Sequence, residues 1–144
     1  MQNSENRLNT TWWALRVLFG FVPIAAGLDK FFNLLTNWEA YLNPLATKVI
    51  PVSPPTFMHI VGIIEIIAGV LVLSRLTKIG AYVVTAWLVA IAFNLLTMGK
   101  FLDVAVRDLG LAVAAFSLAQ LTAVRQESTS RVCVGDAEPS PIRS

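Results

Sequence analysis

Four apolar stretches, each about twenty residues long, constrain this chain of 144 residues more than any other feature. They fall at about residues 11–31, 56–73, 79–98 and 102–124. A bilayer hydrocarbon core about 30 Å thick needs about 20 helical residues to cross it, and only a helix or a closed barrel satisfies its own backbone there. The pattern therefore predicts an all-α protein, a four-transmembrane-helix bundle forming a single domain over residues 1–125. Composition agrees: 14% of the residues are charged and 56% hydrophobic, where soluble proteins carry about 25% charge. Ala25, Ala26 and Gly27 have the small side chains of a leader cleavage site. Arg16 and Pro23 interrupt the apolar region and Arg7 makes a weak basic start, so the first stretch reads as a retained span.

The net charge of +2 comes from basic residues scattered singly around the apolar stretches. That arrangement excludes a groove for nucleic acid and makes the lipid bilayer the main partner. With four spans, Arg7, Arg16, Arg75, Lys78, Arg125, Arg131 and Arg143 share one side, opposite Lys30, Lys48, Lys100 and Arg107. The positive-inside bias then places both termini in the cytoplasm and the first loop outside. Cys133 is the only cysteine, so one chain has neither an internal disulfide nor a Cys-x-x-Cys redox pair.

Apolar residues recur at helical spacing in the first loop, from Phe31 through Leu34, Leu35, Trp38, Tyr41 and Leu42 to Leu45. This predicts an interfacial helix at about 31–45, with Trp38 and Tyr41 at headgroup level and the following prolines forcing turns. Residues 126–144 are polar and aperiodic, and are expected to form a disordered cytoplasmic tail.

Polar residues inside the spans are the next signal, because each is costly in hydrocarbon and seldom faces lipid. Arg16, Gly20, Pro23, Gly27 and Lys30 share one helix face, whose small residues permit close packing; alternatively the two cations snorkel to opposite headgroup layers. Glu65 stands between Gly62 and Gly69 on a similar face. It reads either as a carboxyl hydrogen-bonded between helices or as a proton carrier and ligand anchor. In the third stretch Trp87 and Asn94 share a face. In the fourth, Asp103 and Arg107 are spaced to pair. Arg107 leads a small-residue face through Gly110, Ala114 and Ser117, and Asp108 leads another through Ala112, Ala115 and Ala119, so both charges are expected to look inward.

With this orientation Asp29, Lys30, His59, Glu65, Asn94, Arg107 and Asp108 all fall in the outer half, and Arg16 alone in the inner half. These seven are the candidates for ligand binding or proton exchange, with Arg107 as the expected partner of Glu65, Asp29 or Asp108. His59 is the only histidine, which excludes a bis-histidine haem in one chain. It lies six residues from Glu65, roughly 120° away around the helix, a poor start for a metal site. No catalytic triad, phosphate loop or metal cluster is expected.

The Gly20-x-x-Pro23-x-x-x-Gly27-x-x-Lys30 pattern, the run from Gly62 through Glu65 and Gly69 to Arg75, and the Val-Arg107-Asp108-Leu-Gly-Leu start of the last span resemble the DoxX family. The resemblance extends over nearly all of residues 12–124. It implies a four-helix protein of the bacterial inner membrane, and some relatives are associated with quinone-linked sulfur oxidation or redox-defence complexes. Lys30, Glu65, Arg107 and Asp108 stand where the family pattern places charge.

The leading functional expectation is a small membrane subunit of a redox system. Its outer-half site would take a quinone headgroup or another small polar group beside redox-enzyme partner proteins, with no cofactor of its own. The alternative is a non-enzymatic assembly or chaperone-like protein whose buried charges fix helix register. A small-solute transporter would need a homodimer to supply the usual repeat architecture.

Overall fold

The computed structural model describes residues 2–44, 48 and 52–135, and is helical throughout its regular structure. Four long helices run in order: α1 (Gln2–Phe32), α2 (Pro54–Leu73), α3 (Thr77–Met98) and α4 (Leu102–Gly135). They pack as a bundle in which α1 lies against α2, α3 against α4, and α2 joins the two pairs through α3. The segments Asn3–Phe32, Pro54–Leu73 and Thr77–Met98 are each long and apolar enough to cross a membrane.

Gly27 and Gly62 explain the intimacy of the α1–α2 pair. A Cβ on Gly27 would sit 2.5 Å from the Gly62 carbonyl oxygen, and one on Gly62 would sit 2.6 Å from the Gly27 carbonyl oxygen. Absence of side chains lets the backbones touch, as the small-residue pattern requires. The core away from the loop side is Trp12, Phe19, Ala68, Val72, Ala81, Val84 and the α4 residues Ala115, Leu118 and Ala119. A second cluster of Ala92, Leu95 and Ala105 lies at the α3–α4 turn, packed by Tyr41, Met98 and Phe101. Gly99 closes α3 in the left-handed region at φ 63°, the usual glycine helix stop.

The start of α1 and the end of α4 meet at one end of the bundle. The Trp12 indole N–H donates to Thr122 Oγ1 at 2.8 Å, and Arg125 stacks over the Trp12 ring at 4.3 Å.

Arg16 neither snorkels nor looks into the site. Its guanidinium donates to the carbonyls of Val72, Leu73 and Ser74 at 3.2, 2.6 and 2.8 Å and lies over the Trp12 and Trp13 rings. A cation there satisfies the orphan carbonyls at the end of α2 and complements the helix dipole. Arg16→Met is expected to cost about 1.5–3 kcal/mol, the range for hydrogen bonds to a charged group. Faster amide exchange confined to the last turn of α2 would reveal the loss; uniform exchange rates would refute the capping role.

Two expectations about segments are corrected. Residues 31–45 do not form one helix: α1 stops at Phe32, Asn33 turns into the left-handed region at φ 51°, a 3-10 turn follows at Trp38–Tyr41, and helical backbone is next met at Pro44. The side chain of Asp29 captures the backbone N–H groups of Leu34 and Leu35, a local competitor that stops the helix from continuing. Residue 45 lies outside the described residues. At the other end α4 continues ten residues beyond Arg125, to Gly135, so the first part of the expected disordered tail is helical. Residues 136–144 lie outside the described residues.

Candidate functional site

The loop-side half of the bundle contains a buried ion pair. Lys30, near the end of α1, places its Nζ 2.6 Å from Glu65 Oε2 on α2, and their side chains are 5% and 8% exposed. Gly62 makes this contact attainable, because a Cβ there would stand 3.3 Å from Lys30 Cβ. Trp87 on α3 directs its indole N–H to the other carboxylate oxygen, Glu65 Oε1, at 3.4 Å. Charge-assisted contacts of this kind are the strong ones in a low-dielectric interior.

A roof covers the pair. Trp38 lies with its ring centroid 3.7 Å from Lys30 Nζ and donates its indole N–H to Asp29 Oδ2 at 2.7 Å. Asp29 is itself buried. The same carboxylate thus ends α1, starts the loop and fixes the indole over the lysine. The far side of the roof is tied to α3, where Asn94 donates to the Tyr41 carbonyl at 3.0 Å and Asn43 donates to Thr97 Oγ1 at 3.2 Å. Tyr41 packs on Phe101 at a tilt of 33°, with centroids 4.5 Å apart. Trp38 folds over Lys30 by a cation–π contact.

Asp108 adds a third buried carboxyl, from α4. Its nearest cation is Arg107 Nε at 3.7 Å, too far for a hydrogen bond. The expected inward face of Ala112, Ala115 and Ala119 is buried with it.

Of the seven candidates, the structure brings Asp29, Lys30 and Glu65 together, buries Asp108 on α4 and gives Asn94 the task of holding the roof. Arg107 and His59 do not join them. The Arg107 side chain is 67% exposed and contacts Asp108, its own neighbour, in place of Asp103, Glu65 or Asp29. Asp108 faces inward, and residues adjacent on a helix point about 100° apart, which turns Arg107 out. Its expected small-residue face is outward as well: nothing lies within 4 Å of a Cβ built on Gly110. His59 stacks flat on Phe31, centroids 4.7 Å apart at 5°, a packing role. No group of His, Cys, Asp and Glu suited to a metal occurs among the described residues. Trp38 and Trp87 were missed as site residues. Their sequence signal was the pairing of indole donors with otherwise unmatched carboxylates.

The sequence model of the DoxX family matches residues 11–98, which spans α1 beyond its first turns, the roof, α2 and α3. It includes Asp29, Lys30, Trp38, Glu65, Trp87 and Asn94 and stops before Arg107 and Asp108. No curated protein and no solved structure matches the chain. Its apolar helices and a match over more than half its length lead to one conclusion: this is a membrane protein of the DoxX family.

Proposed function

We propose that the chain is a small subunit of a quinone-linked redox system in a bacterial inner membrane. In this reading α4 crosses the bilayer as the fourth span, both termini are cytoplasmic, and the roofed site opens toward the outer side. Support for α4 as a span comes from its exposed apolar side chains Val106, Val113 and Phe116. The meeting of α1 and α4 at one end supports termini on one side, and the basic residues gathered there support a cytoplasmic location.

The observation that carries the functional reading is Asp108, a buried carboxyl whose cation Arg107 stands 3.7 Å away and is itself mostly exposed, beside an otherwise matched ion pair. Glu65 already has Lys30 and Trp87 as partners. Asp108, held only loosely by Arg107, is in this reading the group that shares a proton with an incoming carbonyl or hydroxyl oxygen. Lys30 stabilises the anionic oxygen that a reduced headgroup presents. Trp38, seated over Lys30, supplies the flat aromatic wall against which a headgroup ring packs. Electrons come from a partner redox protein, since the chain has no redox group of its own in this reading.

The test is mass spectrometry of small molecules that co-purify with the full chain in lipid nanodiscs. Asp108→Asn and Trp38→Leu are expected to lower retained quinone about tenfold, the value of one good hydrogen bond or cation–π contact, while the outward-facing Arg107→Met retains it. Equal quinone in all four folded samples would refute the assignment.

A second reading makes the charges a lock that fixes helix register. It is favoured by the observation that no buried side-chain nitrogen or oxygen among the described residues lacks a partner. Under it the same variants lose stability and none of the samples, wild type included, carries a quinone.

A further inference from the structure

The outward faces of the helices differ in chemistry. On α2 the exposed positions within the span are Ile60, Ile63, Ile67 and Val70, bulky and aliphatic as a lipid-facing surface should be. On α4 the exposed positions Val106, Gly110, Val113, Ser117, Gln120 and Val124 follow one another at steps of four, three, four, three and four. That is the seven-residue repeat of a helix–helix seam, and it winds two helices into a left-handed pair. The two valines flanking Gly110 are each 67% exposed, and Gly110 itself has open space where a side chain would stand. A glycine in such a position loses packing against lipid and gains it against another backbone.

Two polar features argue against lipid as the occupant of this face. Gln120 donates one N–H to Tyr82 Oη at 3.0 Å, while its carbonyl oxygen has no donor among the described residues. Arg107, one position from the seam, is 67% exposed with a single neighbouring carboxylate, and Asp103 one turn earlier is exposed too. Where α4 crosses the bilayer, lipid chains supply no partner to such groups.

The geometry points to a second copy of this chain, packed α4 against α4 about a twofold axis along the membrane normal. Copies inserted in the same direction place each seam residue opposite itself. A glutamine amide is self-complementary, donor to acceptor, so the two Gln120 side chains supply the missing donors to each other. Arg107 reaches the partner's Asp103, the pairing that the same-chain spacing offers and the structure does not make. Gly110 facing Gly110 lets the two helices approach, with valines packed on either side.

The inference rests on α4 crossing the bilayer, and its test separates the two. In a Cys133→Ser background, single cysteines at Val113 and Ser117 are oxidised in native membranes, with Ile67→Cys on α2 as the lipid-facing comparison. The seam cysteines are expected to give disulfide-linked dimers and Ile67→Cys none. Gly110→Leu, which has open space around it, and Gln120→Leu, which also gives up the exposed bond to Tyr82 and is checked for wild-type unfolding temperature, are expected to weaken dimerisation about tenfold, the value of one interhelical amide pair. Monomers only, with the cysteines shielded from a membrane-impermeant maleimide, would overturn the dimer while leaving α4 as a span. Ready labelling of Val113→Cys by that reagent would overturn both.

Discussion

Lys30→Met is expected to lower the stability of the folded chain by about 3–5 kcal/mol, the cost of leaving a buried carboxylate without its partner. Glu65 is the group abandoned. Its Oε2 loses the ammonium at 2.6 Å, and the Trp87 indole at 3.4 Å is a weak substitute. Trp38 loses the cation beneath its ring as well, so the roof loosens together with the α1–α2 contact. Replacing both charges tests the cause. Lys30→Met combined with Glu65→Leu removes two desolvation penalties along with the attraction, and buried ion pairs exchanged for apolar residues of similar volume are often neutral. The double variant is therefore expected to recover most of the loss in thermal unfolding measured in nanodiscs. A double variant as unstable as the sum of the singles would show that the pair is not coupled. If it is stable, its quinone content relative to wild type separates chemistry from architecture: a folded double variant that has lost the quinone the wild type retains means the charges serve the ligand.

Gly27→Val is expected to be nearly as severe, at about 3 kcal/mol, the upper part of the range for overpacked contacts. The added Cβ alone meets the Gly62 carbonyl oxygen at 2.5 Å and Ile66 Cγ1 at 2.8 Å. The first of these is backbone in the middle of a helix and cannot rotate away. The helices must separate, and Lys30, one turn further along α1, is carried away from Glu65. Quinone retention should fall with stability even though Gly27 touches none of the polar atoms. Unchanged unfolding temperature for Gly27→Val would mean that α1 and α2 pack less closely than the glycine pair implies. The same replacement at Gly110, where nothing lies within 4 Å, should leave the isolated bundle intact.

Periodicity and small residues made much of this architecture legible in advance. The Gly20–Gly27 and Gly62–Gly69 spacings marked the faces on which α1 and α2 meet, because a glycine reports local crowding directly. Glu65 reads as inward for the same reason, lying between two glycines, whereas for Lys30 the glycine face left snorkelling to a headgroup layer open. Asp108 was legible through the alanines at 112, 115 and 119. Arg107 was misread because Gly110 and Ser117 also look like a packing face, and spacing alone does not tell which of two small-residue faces meets the bundle. The first loop failed for a different reason. Its apolar residues recur at helical steps, but Asp29 binds the Leu34 and Leu35 N–H groups and Asn33 adopts a left-handed turn, so side-chain hydrogen bonding defeats the periodicity.

What the sequence determined by itself is everything governed by local composition and spacing: helices, their apolar lengths, the membrane as solvent and the identity of the charged residues within it. Partner choice among those charges was left to the tertiary structure, which paired Lys30 with Glu65, turned Arg107 outward and folded Trp38 over the lysine. Apolar length follows from each segment alone, because the bilayer acts on every segment independently. Pairing depends on how each helix is rotated about its own axis, and that rotation is set by neighbours from distant parts of the chain.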